Sequence, residues 1–261
     1  MQPEAKNKYR QLNRNAIKCM ALFFMVLNHI STIFLEEGTL VAQLLLDLGY
    51  FTAITMCYFL VEGFAYTHSR KKYATRLLVF ALISELPYCL AFTSKGILEF
   101  QNFNMLFTLL ICFGILTVIH EKASSLSKFF SIAGLILVST LSDWPLLAPI
   151  FTLLFFWSRG SRKKTTYAFL LSTLIFGFVN FLTGTSTMPL SKNIVSALGS
   201  MIGPALAGIV ILFLYNGEER KGKRNDKMGK EECRGKSLSK WFFYLFYPLH
   251  LLILGLIRIF H

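Results

Sequence analysis

The sequence predicts an all-α, polytopic helical membrane protein with about nine transmembrane helices and a cytosolic N-terminus. Three observations carry that prediction. The 261 residues are 54% hydrophobic and 15% aromatic, with 26 Phe, more apolar than an ordinary soluble domain at ~45–50%. Charge-free apolar runs of about 20 residues recur along the chain, long enough to cross a ~30 Å hydrocarbon core at ~1.5 Å per residue. The charges collect in the short stretches between those runs, which is how membrane orientation is written. A net charge of +13 could suggest nucleic acid, but that depends on where the charges lie. Here they lie at the ends of apolar runs.

Residues 1–15 are polar and basic and read as a cytosolic N-terminal segment, with 16–261 forming a single transmembrane domain. The first span, 16–35, reads AIKCMALFFMVLNHISTIFL. Its basic flank resembles that of a signal peptide. The apolar core is too long for one, however, and Glu36-Glu37-Gly38 follows in place of a small-x-small cleavage site, so the sequence predicts a retained helix. The second span is 41–66. The third, 73–92, contains Glu85 and Pro87, and the fourth, 103–119, is entered through Asn102 and Asn104. The run 129–157 is too long for one crossing, and Ser142-Asp143-Trp144-Pro145 divides it into two short spans. The seventh, eighth and ninth are 166–183, 194–215 and 240–259, and the stretch 216–240 is a flexible basic cytosolic loop.

Charge tests this count. With the N-terminus inside, every one of the 27 Lys and Arg except Lys95, Lys192 and Arg258 falls on the inner side. One wrongly divided helix would exchange the sides of everything after it and destroy the bias. The five cysteines, Cys19, Cys57, Cys89, Cys112 and Cys233, are scattered with no CxxC pair. That supports neither a disulfide framework nor a metal site. Gly199, Gly203 and Ala207 repeat a small residue every four positions, a pattern that lets helices approach closely.

Polar groups at mid-depth are costly against lipid and are functional candidates. Asn28 and His29 sit beyond the middle of the first span, and Glu85 and His250 fall at similar depth in the third and ninth. The topology puts both histidines and Glu85 in one layer, within roughly one helical turn of each other. His29 shares a helical face with Met25, Thr32 and Glu36, and an imidazole near a carboxylate is the usual general base. The alternative for either histidine is a structural hydrogen bond across helices. Toward the cytosolic side stand Glu62 and the cluster Arg70, Lys71, Lys72 and Arg76. These could hold a phosphate-bearing donor, or simply set topology, with Glu62 pairing Arg76.

Several motifs resemble the TraX family. They are Lys18-x-x-Ala21 with Met25-x-x-Asn28-His29, then Gly49-x-x-Thr52-Ala53-x-x-Met56 through Phe64, followed by Tyr66-Thr67 and Lys72-Tyr73-x-x-Arg76-Leu77. Ile83-Ser84-Glu85-Leu86-Pro87-Tyr88 and Phe243-Tyr244-x-x-Tyr247-Pro248-Leu249-His250-Leu251 complete the set. The likeness runs over 16–120 and 241–253. Between these stretches it is a likeness of hydropathy alone.

The resemblance implies a multi-pass protein of the bacterial inner membrane, linked to conjugation and to N-terminal acetylation of F-type pilin. It further implies acetyl-CoA as the cytosolic donor. The chain departs from the family pattern at Asn28, Tyr50 and Ile54, where an acid, an arginine and a proline are expected, and at Glu85, where glutamine is common.

These readings together predict an acyltransferase that moves an acetyl group from acetyl-CoA to an amine or hydroxyl of a pilin-like or envelope acceptor. His29 would be the base, Asn28 and Glu85 would orient it, His250 would line the pocket, and Glu62, Arg70, Lys71 and Arg76 would meet the donor. The expected surroundings are membrane lipid, with no nucleic acid. A small-solute or proton-coupled transporter, or a non-catalytic assembly partner in pilus or envelope biogenesis, are the readings from other classes.

Overall fold

The computed structural model describes residues 11–94, 96–217 and 230–260. The expected N-terminal segment up to residue 10, Lys95 and residues 218–229 of the basic loop lie outside the described residues, and the part of that expected flexible loop from Lys230 onward is instead the start of a helix. Eleven α-helices follow one another: α1 (Arg14–Phe34), α2 (Leu40–Gly49), α3 (Phe51–Tyr66), α4 (Arg70–Phe92), α5 (Met105–His120), α6 (Ser125–Val138), α7 (Leu147–Ser158), α8 (Arg162–Gly184), α9 (Leu190–Ser200), α10 (Ile202–Ile209) and α11 (Lys230–Phe260). Among the described residues the only β pairings are two isolated bridges, Leu12 with Tyr215 and Phe103 with Ser142.

Every expected apolar run coincides with helix. Among the described residues, six segments are long and apolar enough to cross a membrane: Arg14–Phe34, Leu40–Tyr66, Arg70–Phe92, Arg162–Gly184, Leu190–Leu214 and Trp241–Phe260. Three more, Met105–His120, Ser125–Leu141 and Leu147–Ser158, are apolar but shorter. The surface agrees with a lipid setting. Phe23, Leu40, Phe129 and Leu137 are among many large apolar side chains left exposed, while the helices satisfy their own backbone groups.

Helix starts follow from short polar side chains at the caps. Asn13, Thr39, Ser69, Asn104, Ser124 and Ser161 each accept a hydrogen bond from a first-turn N–H of the helix that follows. The centre is α3. Its residues Phe51, Ile54, Cys57, Phe59, Leu60 and Phe64 are almost wholly buried against α1, α5, α7, α8 and α10. A second cluster, built from Leu22, Met25, Tyr88, Ala91, Tyr247 and Leu251, seats α11 against α1 and α4. By contrast, α6 buries no residue and lies at the periphery against α5.

Two long rods are loosened at the point where they cross. The 27-residue segment Leu40–Tyr66 is interrupted at Tyr50, and Leu190–Leu214 is interrupted at Met201 and ends in a π-helical turn. The small residues of the second rod make the crossing possible. A Cβ on Gly203 would stand 2.6 Å from the Phe51 nitrogen and 2.9 Å from the Tyr50 carbonyl carbon, and one on Gly199 would collide with the Asp47 carboxylate. Asp47 is buried there and accepts a 2.9 Å hydrogen bond from Gln43 Nε2. On the other side of α2, Gly49 gives Asn28 its space, and the Asn28 amide donates to the Leu46 carbonyl at 3.2 Å. Asn28 therefore fixes the distance between α1 and α2.

Candidate functional site

His29 on α1 and His250 on α11 meet. Their rings lie within 8° of parallel, with His29 Nδ1 2.9 Å from His250 Nε2. The tautomers follow from one further contact: His250 Nδ1 is 2.9 Å from the Phe246 carbonyl oxygen, which only accepts. His250 therefore donates from Nδ1. In the neutral pair its Nε2 accepts, so His29 donates from Nδ1. His29 Nε2 is left with its lone pair and with no hydrogen-bond partner among the described residues. The Phe92 ring meets the His29 ring edge-on at 5.2 Å and limits its rotation.

His29 borders a cavity of about 320 Å³. Asn28 and Thr32 from α1, Tyr50 from the α2–α3 break, Tyr88 from α4 and Tyr247 from α11 also line it. Thr52 of α3 lines it too, and so does Asp143, carried on the turn between α6 and α7. That turn is strained. Trp144 and Leu146 have φ of 58° and 60°, in the left-handed region that side chains with a Cβ rarely occupy. Hydrogen bonds hold it nonetheless: Asp143 N–H donates to the Phe103 carbonyl at 2.7 Å, Thr108 donates to the Asp143 carbonyl, and the Leu146 N–H reaches Ser139 Oγ at 3.3 Å. Burial pushes the Asp143 carboxyl from 3.8 up to about 6, with the Trp144 N–H pulling the other way. Strain so held in place is characteristic of functional sites.

A second cavity of about 620 Å³ lies toward the end of the molecule where the basic residues gather. Arg14, Lys18 and Arg76 line it together with Tyr73, Phe243 and Tyr244. Aromatic rings hold the cations in place: Arg14 lies over Phe59 at 5.2 Å, Lys18 over Phe243 at 5.0 Å and Arg76 over Tyr73 at 5.7 Å. Met25, Thr52, Met105 and Tyr247 border both cavities. The two spaces therefore abut, running from the basic end to the histidine pair.

The structure brings together some of the residues singled out in the sequence and separates others. His29, Asn28 and His250 converge. Glu85 does not orient His29, because that bond comes from His250. Glu85 instead accepts from Asn104 Nδ2 at 2.6 Å and from the Asn104 N–H at 3.3 Å, joining α4 to the start of α5. Glu62 pairs with Arg14 at 3.6 Å, not Arg76, and accepts from the Tyr215 hydroxyl at 2.8 Å. Of the basic cluster only Arg76 lines the cavity. Arg70 stands on the Phe64 ring at 4.3 Å and Lys71 is exposed, both off the cavity wall.

Sequence reasoning missed Arg14, Lys18, Tyr88, Asp143 and Tyr247. For the first two a signal was present. Continuing the His29 face backward through Met25 and Leu22 by steps of three and four residues arrives at Lys18 and then Arg14.

These features define a multi-helix membrane protein with a histidine pair beside the smaller of two abutting cavities. The chain belongs to the TraX family: the family model, described as TraX protein, matches residues 13–258. It is also similar to the probable fimbrial assembly protein FimC, serogroup H1, of Dichelobacter nodosus, with 29% identity over 245 residues covering 91% of this chain and 92% of that one. No solved structure matches.

Proposed function

We propose that this protein is a membrane acetyltransferase, with acetyl-CoA as donor and a pilin-like or envelope group as acceptor. The observation that carries the reading is the His29–His250 hydrogen bond, which leaves Nε2 of a cavity-lining histidine with its lone pair unshared. The basic end faces the cytosol of a bacterium and the chain is a multi-pass protein of its inner membrane, in contact with lipid. The distribution of Lys and Arg supports that orientation, and the three shorter helices complete nine crossings with the six long ones.

The donor's phosphates lie against Arg14, Lys18 and Arg76, and its thioester arm passes between Met25 and Tyr247. Lys18 to His29 spans eleven helical positions, roughly 16 Å of rise, comparable with an extended pantetheine arm. A cavity of about 620 Å³ is in the range that holds small-molecule ligands. The acceptor enters the smaller cavity and its nitrogen or oxygen attacks the thioester carbonyl. His29 Nε2 takes the acceptor's proton, the C–S bond breaks, and the thiolate leaves with a proton. His250 accepts the Nδ1–H bond throughout and stabilises the imidazolium that forms. Thr32 and Asn28 border the acceptor's path.

A non-catalytic role in fimbrial assembly is the second reading, favoured by the similarity to the probable fimbrial assembly protein of Dichelobacter nodosus. Purified protein incubated with labelled acetyl-CoA and candidate acceptors tests the two. Transfer by wild type that is lost in a folded His29→Ala variant supports the enzyme. Assembly that survives His29→Ala, with no transfer in either protein, supports the partner. Flux of solute into proteoliposomes without a thioester would instead mark a transporter.

A further inference from the structure

The His29 cavity carries one charged side chain. Among the described residues, Asp143 lines it and no Lys or Arg does, and Asp143 makes no ion pair there. Five aromatic side chains stand in the same wall, Tyr50, Tyr88, Phe92, Trp144 and Tyr247. These rings are organised as two walls: Tyr50 meets Trp144 at 5.9 Å in a T-shaped contact, and Tyr88 meets Phe92 at 5.0 Å. Trp144 is itself backed by Phe176, stacked at 5.0 Å and 5°. A carboxylate withdrawn from water is costly without a counter-charge, and aromatic faces attract cations. The chain also holds two non-glycine residues at positive φ to present this carboxylate. A neutral hydroxyl acceptor would use none of these features.

We propose that Asp143 is the acceptor-binding residue: its carboxylate takes the charge of an ammonium group seated between the two aromatic walls. The assignment rests on the acetyl-transfer reading and supplies the part of the site that receives the acceptor. The acceptor enters as R–NH3+ and gives one proton to the Asp143 carboxylate. The neutral amine then attacks the thioester carbonyl, forming N–C as C–S breaks. His29 Nε2 takes the second nitrogen proton and passes it to the departing thiolate, so free thiol leaves. The proton on Asp143 returns to water, and the site is restored.

The test uses glycinamide and glycolamide, which differ by ammonium against hydroxyl, titrated into the purified full-length protein in detergent without donor. Heat of binding and unfolding temperature are both read. Glycinamide should bind wild type and glycolamide should not. Asp143→Asn should weaken glycinamide by at least about tenfold, as neutralising one partner of a buried charge pair does, and Asp143→Glu should restore part of it. His29→Ala should bind glycinamide as wild type does while losing transfer. Equal binding of the two probes by wild type, or unchanged glycinamide affinity in Asp143→Asn, overturns the assignment. The wild-type comparison decides even where the variant does not fold. Transfer without charge selectivity defeats this inference alone. Charge-selective binding without transfer defeats the acetyltransferase reading alone.

Discussion

His250 Nε2 accepts the proton of His29 Nδ1 across 2.9 Å, although 221 residues separate the two in the chain. The bond joins α1 to α11 and fixes the tautomer of His29, a residue that lines the smaller cavity. Replacing His29 by Ala should lower acetyl transfer by ~10²–10⁴-fold, the usual contribution of a positioned base. His250→Ala should lower kcat by at least about tenfold with KM for the donor little changed, because it removes the tautomer control and not a donor contact. Steady-state kinetics on both variants checks the split.

Donor affinity separates the cations that line the basic cavity from those that do not. Arg14→Gln, Lys18→Gln and Arg76→Gln should each weaken acetyl-CoA binding by roughly ten- to a hundredfold, in line with the loss of one charge-assisted phosphate contact at roughly 1.5–3 kcal/mol. Arg70→Gln and Lys71→Gln should bind as wild type does. Calorimetry with the five proteins gives the ranking directly, and an equal loss at Arg70 would contradict the cavity assignment.

Asn104 is fully buried. Its Nδ2 donates to Ala81 O at 2.8 Å and to Glu85, while its Oδ1 accepts from the Leu106 N–H at 3.0 Å as the cap of α5. Asn104→Ala should therefore destabilise the protein by about 2–4 kcal/mol, a cap plus stranded buried partners. Glu85→Gln keeps an acceptor oxygen for Asn104 and should retain transfer within about threefold. Thermal unfolding in detergent together with an activity assay measures both.

Crossing of the two broken rods can be tested at glycine. Gly203→Ala sets a methyl against backbone atoms of Tyr50 and Phe51 that have nowhere to go, and should cost about 1–3 kcal/mol or more. Gly134→Ala, on α6 where a Cβ would meet nothing within 4 Å, should be neutral or stabilise by up to about 1 kcal/mol through helix propensity. A lower unfolding temperature for the first and not the second is the expected result.

The helices and the histidines were legible for the same reason. Apolar runs bounded by charge announce a membrane segment, and His29 or His250 inside such a run stands out because lipid would not tolerate it. The pairing of Glu85 was not legible, since its partner Asn104 reads as an ordinary helix cap and nothing local says which carboxylate lies beside it. Arg14 and Lys18 were hidden by a second meaning: basic residues at the end of a span already have an explanation in topology. Asp143 was read as part of a helix break because Trp144-Pro145 follows it. The positive φ of Trp144 and Leu146 leaves no trace in sequence, as neither is the glycine that such angles usually select.

The bond between α1 and α11 also sets the order of events during synthesis. His29 leaves the ribosome 221 residues before His250, so α1 waits in the bilayer without its partner while the intervening segments insert. A nascent or stalled chain holds an unaligned imidazole and has no second wall to its cavity. On the acetyltransferase reading proposed above, a chain that lacks α11 is inert in the membrane.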